Sequence, residues 1–413
     1  MSAGEKVSLL HEVPVLRPVP ARATEPQYHA AIGYLRAFVT VLVVAHHAAL
    51  AYHPFAPPAP ANLVVQPRWW MAFPVVDSGR WSGFGLLVGF NDTFFMSLMF
   101  FLSGLFVWKS LQRKGARSFL RDRAVRLGIP FAVAVLIAPL AYYPAYLTTG
   151  SHSGFADFWR QWLSLGNWPV GPAWFIWVLL VFDFVAGALF LLLPKWGEVL
   201  GRMSAGAYRR PVLFFGSVIA VSALAYIPMA LVFTAFNWAS FGPFFFQTSR
   251  ILHYFVYFLL GAGVGALGIE KGLLATDGKL ARRWVLWAVA ALVAFGIATA
   301  VTLAAFSPHD SPRVWEVLMD TTFGVSCAAS CFAFLALFVR FARRRIKIWD
   351  SLNASAYGIY LVHYTFVSWL QYALLKASLP AVAKGSMVLF GAVLLSWGTT
   401  AVIRRIPAVA RVI

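Results

Sequence analysis

Three titratable side chains, Arg36, His46 and His47, lie within one apolar stretch, residues 34–52, that is long enough to cross a bilayer. Ionisable groups inside a membrane span are costly and face a bundle interior or a wet cavity. Arg36 and His47 are separated by three helical turns plus about 20°, so they share a face, roughly 16 Å apart along the axis. His46 sits about 80° round the helix from Arg36. One helix therefore offers a fixed cation at one level and a base at another. That spacing suits a site that holds an anionic or polar donor and moves a proton elsewhere. Without chemistry, Arg36 would be an interfacial arginine with its stem in the bilayer, and the histidines would be packing residues.

Other polar residues fall at span depth. Asp183 is expected to partner a basic group inside the bundle, and His363 lies near the middle of a later span. Arg250 and His253 are three apart, hence neighbours on one helix face. Arg123 and Arg126 share a face in the run SFLRDRAVRLGIP (118–130). That run reads either as a topology signal or as a cytoplasmic clamp for phosphates, which the planar guanidinium suits. No Gly-rich nucleotide loop accompanies it.

The elements that must position these groups are membrane helices. The chain has 413 residues, 60% hydrophobic and only 12% charged, more apolar surface than a soluble fold can hide. Repeated apolar runs of about 20 residues predict an all-α polytopic membrane protein. Ten spans are expected: 30–52, 92–111, 125–148, 171–193, 211–236, 247–269, 284–306, 315–339, 352–375 and 384–403, with a kink at Pro228. Residues 1–29 read as a tail without a cleavable signal, 30–403 as one membrane domain, and 404–413 as a short second tail.

The net charge of +19 is distributed by topology, which argues against a nucleic-acid partner. With the N-terminus inside, 25 of the 34 Lys and Arg fall on the cytoplasmic side and seven outside. This predicts cytoplasmic termini and a multi-pass protein of the inner or plasma membrane. The outer loops 53–91 and 149–170 are rich in Trp, expected chiefly as interfacial belt residues, with stacking on sugar rings as the sharper reading. The outer acids Asp77, Asp92, Asp157, Asp310, Glu316 and Asp320 read mostly as solvated loop groups, alongside His309. Cys327 and Cys331, four apart, read as buried packing thiols rather than a metal site.

Taken in order, these motifs resemble the membrane acyltransferase 3 family. YLRAFVTVLVVAHHA resembles its opening pattern of Arg followed by His, here Arg36 and His47. FFMSLMFFLSGLF (94–106) resembles its second-span motif, with Ser103 and Gly104. FLRDRAVRLGIPF resembles its Arg-Arg-Pro approach to the third span, GPAWFIWVLLVFD (171–183) its fourth-span motif with Trp174, and SAYGIYLVHY (355–364) its late motif with His363. Many members carry Glu five residues after the fourth-span Trp. Here that position is Leu179, and the form is closer to the glucan-succinyltransferase-like branch.

The resemblance implies ten helices and O-acyl transfer from cytoplasmic acyl-CoA, acetyl or succinyl, to an extracytoplasmic carbohydrate, with no bound cofactor. It assigns His47 as general base, with His46 as an alternative base or a group that orients it. Arg36 would hold the donor or offset its charge, and Arg123 and Arg126 would bind the CoA phosphates. Trp174 and His363 join the expected substrate-binding set, and Arg250 with His253 is the available pair for a succinyl carboxylate. The competing reading is a transporter or flippase without chemistry.

Overall fold

The computed structural model describes residues 30–150, 152–307 and 312–413. The expected tail 1–29 and the residues His309 and Asp310 lie outside the described residues. The elements run α1 (Ala30–Leu50), α2 (Ser82–Gly104), α3 (Val107–Arg123), α4 (Ile129–Leu147), α5 (Phe155–Ser164), α6 (Trp174–Leu192), α7 (Trp196–Arg209) and α8 (Pro211–Phe233). A short antiparallel hairpin follows, β1 (Trp238–Phe241) and β2 (Phe244–Gln247), paired Trp238 to Gln247. The chain continues with α9 (Ile251–Leu267), α10 (Lys279–Arg282), α11 (Trp284–Ala305), α12 (Pro312–Phe341), α13 (Lys347–Leu374), α14 (Ala381–Ile403) and α15 (Pro407–Ala410).

Nine helical segments among the described residues are long and apolar enough to cross a bilayer, and the chain is an all-α polytopic membrane protein. The outward faces of α8 and α11 carry exposed Leu224, Val232, Val289, Leu292, Val293 and Ile297, an apolar surface suited to lipid. The remaining expected span, the ninth at 352–375, is α13. Its 28 residues make a helix of about 42 Å, but its composition is too polar to register as a span. Ser355, His363, Ser368 and Gln371 on it are all buried, so its polarity faces protein. It lies parallel to α1: residue pairs 34/350, 36/353 and 47/363 meet at a constant offset of 316 or 317 residues. A parallel neighbour enters from the same side as α1, as an odd-numbered span does.

The largest boundary difference from expectation is in the second span, which ends earlier, at Gly104 rather than 111. It also begins ten residues earlier than the apolar run suggests, at Ser82, because the Gly-rich GFGLLVGFND segment reads as loop yet is helical. Asp92 is thereby moved from a loop into α2. Helix α8 runs through Pro228. Helix α3 is basic and amphipathic, with Gly115 left-handed at φ 73° inside it, and a π-helical turn over Ala124–Gly128 joins it to α4.

Helices α2 and α9 touch backbone to backbone. A Cβ on Gly261 would stand 2.0 Å from the Phe101 carbonyl oxygen, and one on Gly265 would stand 1.8 Å from that of Leu105. This four-residue spacing of glycines replaces side-chain packing by main-chain contact, a recurrent device where no hydrophobic force drives helices together in lipid.

Candidate active site

Helix α1 presents His47 toward α13. The His47 ring lies 5.4 Å from that of His363 at 69°, and 5.1 Å from that of Tyr364 at 87°. The Nδ1 of His47 is 2.7 Å from the carbonyl oxygen of Val43, one turn back on its own helix. A carbonyl can only accept, so Nδ1 carries the proton and Nε2 carries the lone pair. His363 repeats the arrangement: its Nδ1 is 2.8 Å from the Tyr360 carbonyl oxygen, and its Nε2 is buried without a hydrogen-bond partner among the described residues. Two imidazoles on facing helices are thus fixed in one tautomer by local backbone. From α13, the Gln371 amide also donates to the carbonyls of His47 and Ala48, at 2.9 and 3.3 Å. This satisfies orphan acceptors in the last turn of α1 and holds the helix where His47 sits.

Three turns below, Arg36 is exposed and its Nη2 donates to Asn353 Oδ1 at 2.9 Å. At that level Tyr34 donates to Asp350 at 2.8 Å and accepts from the Ile346 amide. Arg123, in the basic run, has its Nε 3.3 Å from Asp183 Oδ2 and its guanidinium 5.1 Å above the Phe119 ring. Asp183 is fully buried on α6, as expected of a partner for a bundle cation. The pair meets by charge alone, for neither Asp183 oxygen has a hydrogen-bond partner among the described residues. Arg126 is exposed, and its carbonyl accepts from Tyr357 of α13.

His46 points away from His363. Its ring stacks on Phe95 of α2 at 5.2 Å, and the Asp92 carboxylate acts on it through charge. Asp92 is bound to Arg250 at 2.8 Å. Arg250 is 2% exposed and its guanidinium also sits 4.5 Å above the Phe323 ring. Arg250 is therefore neutralised rather than available. His253 is fully buried with its Nε2 3.5 Å from Cys327 Sγ and its ring against Tyr226 and Tyr257. Trp174 packs on Tyr254, Phe100 and Trp238. Arg250, just before α9, is thus linked to His46 through Asp92, whereas His253 lies with Cys327, Tyr226 and Tyr257, and Trp174 lines the neighbouring core.

Four of the acids read as solvated loop groups are structural instead. Asp92 holds Arg250. Asp77 is buried 2.7 Å from Lys384. Asp157 accepts from Tyr146, Arg160 and Gln161, and Asp320 is buried on α12. Asp92 and Asp320 lie on the helices α2 and α12, and the outer loop that holds Asp77 is itself folded. Trp70 and Trp162 are buried with Tyr142, Tyr146 and Tyr364 in a small core, not spread along the bilayer interface, whereas Trp69 and Trp81 stay exposed. The Met71 carbonyl receives the hydroxyls of Tyr142, at 2.9 Å, and Tyr364, at 3.5 Å. Since Tyr364 packs on His47, this loop roofs the histidine pair.

A family model described as an acyltransferase domain matches residues 29–402. The chain belongs to the acyltransferase 3 family. It is an acyltransferase that transfers groups other than aminoacyl groups, and the reading as a transporter without chemistry is set aside. No curated protein and no solved structure matches the chain.

Within this acyltransferase the matched region takes in every described candidate residue. Sequence reasoning missed Tyr364, Gln371 and Asn353, all on α13. Their signal was the polar face of that helix: Asn353 and His363 are spaced almost as Arg36 and His47 are, so two helices carry matching polar levels.

Proposed function

We propose that this protein moves an acyl group from cytoplasmic acyl-CoA to a hydroxyl of an extracytoplasmic glycan, with His47 as general base. The observation that carries the proposal is the paired tautomer lock of His47 and His363. An imidazole whose Nδ1–H is committed to a carbonyl offers Nε2 to a substrate hydroxyl. His47 Nε2 takes the hydroxyl proton as the oxygen attacks the thioester carbonyl. The C–S bond then breaks, and the departing thiolate of CoA takes that proton from the imidazolium. The reaction is neutral in protons, so one base serves both halves.

In this reading His363 stands across from His47 to align substrate, and His46 supports the α2 side. Arg36, three turns below, binds the donor, while Arg123 and Arg126 meet the CoA phosphates at the cytoplasmic mouth. Trp174 bounds the acyl portion together with Tyr254. Arg250 and His253 shape the α9 wall. Because Asp92 matches the charge of Arg250, a succinyl carboxylate would have to displace Asp92, which favours an acetyl donor over succinyl despite the form of the fourth-span motif. The membrane is the cell membrane on this account, with both termini cytoplasmic.

The test is acyl transfer in inside-out vesicles given acetyl-CoA or succinyl-CoA with isotopic label in the acyl group. Label in a glycan from acetyl-CoA supports the account. Label from succinyl-CoA alone would overturn the donor assignment, and no CoA-dependent label from either would overturn the reaction.

A further inference from the structure

At the end of the bundle that carries His47, a cavity of about 300 Å³ lies between the last turns of α8 and α11 and the first turns of α12. It is separate from the histidine pair and plays no part in the transfer described above. Its lining includes Thr234, Phe236, Phe306, Trp315, Glu316 and Asp320, and no Lys, Arg or His among the described residues.

The two carboxylates fall one turn apart on α12, so they share the face turned to the cavity. Asp320 closes the inner end. It is 3% exposed, and its Oδ1 has no hydrogen-bond partner among the described residues. The Tyr226 hydroxyl acts on the same carboxylate. Arg250, whose charge reaches Asp320, is already committed to Asp92. A buried carboxylate oxygen left without a donor costs free energy until a donor arrives. Thr234 at the rim holds a left-handed backbone, φ 64°, rare for a residue branched at Cβ and a mark of functional sites.

We propose that this cavity binds an organic ammonium group. Two carboxylates with no lining Lys, Arg or His among the described residues favour positive charge, and the rings of Trp315, Phe236 and Phe306 suit the alkyl or methyl body next to it. An inorganic ion would leave that aromatic wall unused. The same chemistry is presented by a free amine and by the headgroup of an ethanolamine or choline phospholipid. Helices α8 and α11, which form two of its walls, also carry the exposed apolar surface toward lipid.

The test uses the full-length protein in nanodiscs, with wild type, Glu316→Gln and Asp320→Asn compared. One arm titrates choline into phosphatidylglycerol nanodiscs by calorimetry. The other counts phosphatidylethanolamine retained from mixed nanodiscs by native mass spectrometry. Saturable one-to-one binding in either arm, weakened at least tenfold in Asp320→Asn and severalfold in Glu316→Gln, is expected, and the positive arm identifies the source. Glu316 is exposed, so Glu316→Gln tests the site even where Asp320→Asn fails to fold. Neither ligand binding, binding unchanged in Glu316→Gln, or equal competition by uncharged glucose would overturn the assignment.

Discussion

His47 and His363 meet across the α1–α13 interface with ring centroids 5.4 Å apart, each tied through Nδ1 to a carbonyl of its own helix. The two helices run parallel and in register, so the level of Arg36 and Asn353 is fixed relative to the level of the histidines. A donor gripped below and an acceptor presented above would meet a base whose tautomer is set before either arrives.

If His363 aligns substrate across from that base, His363→Ala should lower the rate of acyl transfer by roughly 10²-fold, the lower range for a positioned acid–base group. His363→Gln, which keeps a polar group of similar reach, should recover part of the loss. Initial rates at saturating acyl-CoA, with protein level matched, check this.

The α2–α9 contact leaves no room for a methyl group. Gly261→Ala places a Cβ 2.0 Å from a carbonyl oxygen, and it should cost about 1–3 kcal/mol through forced separation of the helices. Gly216→Ala on α8, where a Cβ meets nothing within 4 Å, should be neutral or mildly stabilising. Thermal unfolding in detergent separates the two.

Asp77 and Lys384 are 2% and 4% exposed and 2.7 Å apart, joining the outer loop to the start of α14. Losing one partner strands a buried charge, so Asp77→Ala should destabilise by about 3–5 kcal/mol. Asp77→Ala with Lys384→Met should recover much of that loss. A double-mutant cycle of melting temperatures measures the coupling.

His53, just beyond α1, has its pKa pushed down by burial and then by the charge of Arg80. The fold prefers its neutral form, whose Nδ1 accepts from the Phe55 amide. The stability it lends is complete above its unfolded pKa of about 6.5 and is lost as pH falls below that toward the folded value. Melting temperature should therefore fall on acidification from about pH 7.5 to about 5.5 more in wild type than in His53→Gln.

Much of this was legible in the sequence. Apolar run length carried the spans, and the helical period put Arg36 and His47 on one face. Asp183 was read as a partner for a bundle cation, and Arg123 is that partner. What the sequence hid were contacts between distant segments. Asp92 reads as a loop acid because the ten residues before it are rich in glycine, and only the approach of α9 shows it to be the counter-ion of Arg250. Trp70 and Trp162 read as belt residues because their shared core is assembled from the outer loop, α4 and α5. Tyr364 and Gln371 acquire meaning only when α13 lies parallel to α1.

The most direct test of the central claim compares wild type and His47→Ala, expressed at matched levels, by mass spectrometry of extracytoplasmic glycans. An added acyl mass is expected in wild type and absent in His47→Ala, with the protein still folded and membrane-inserted. The same acyl mass at the same level in His47→Ala would contradict it.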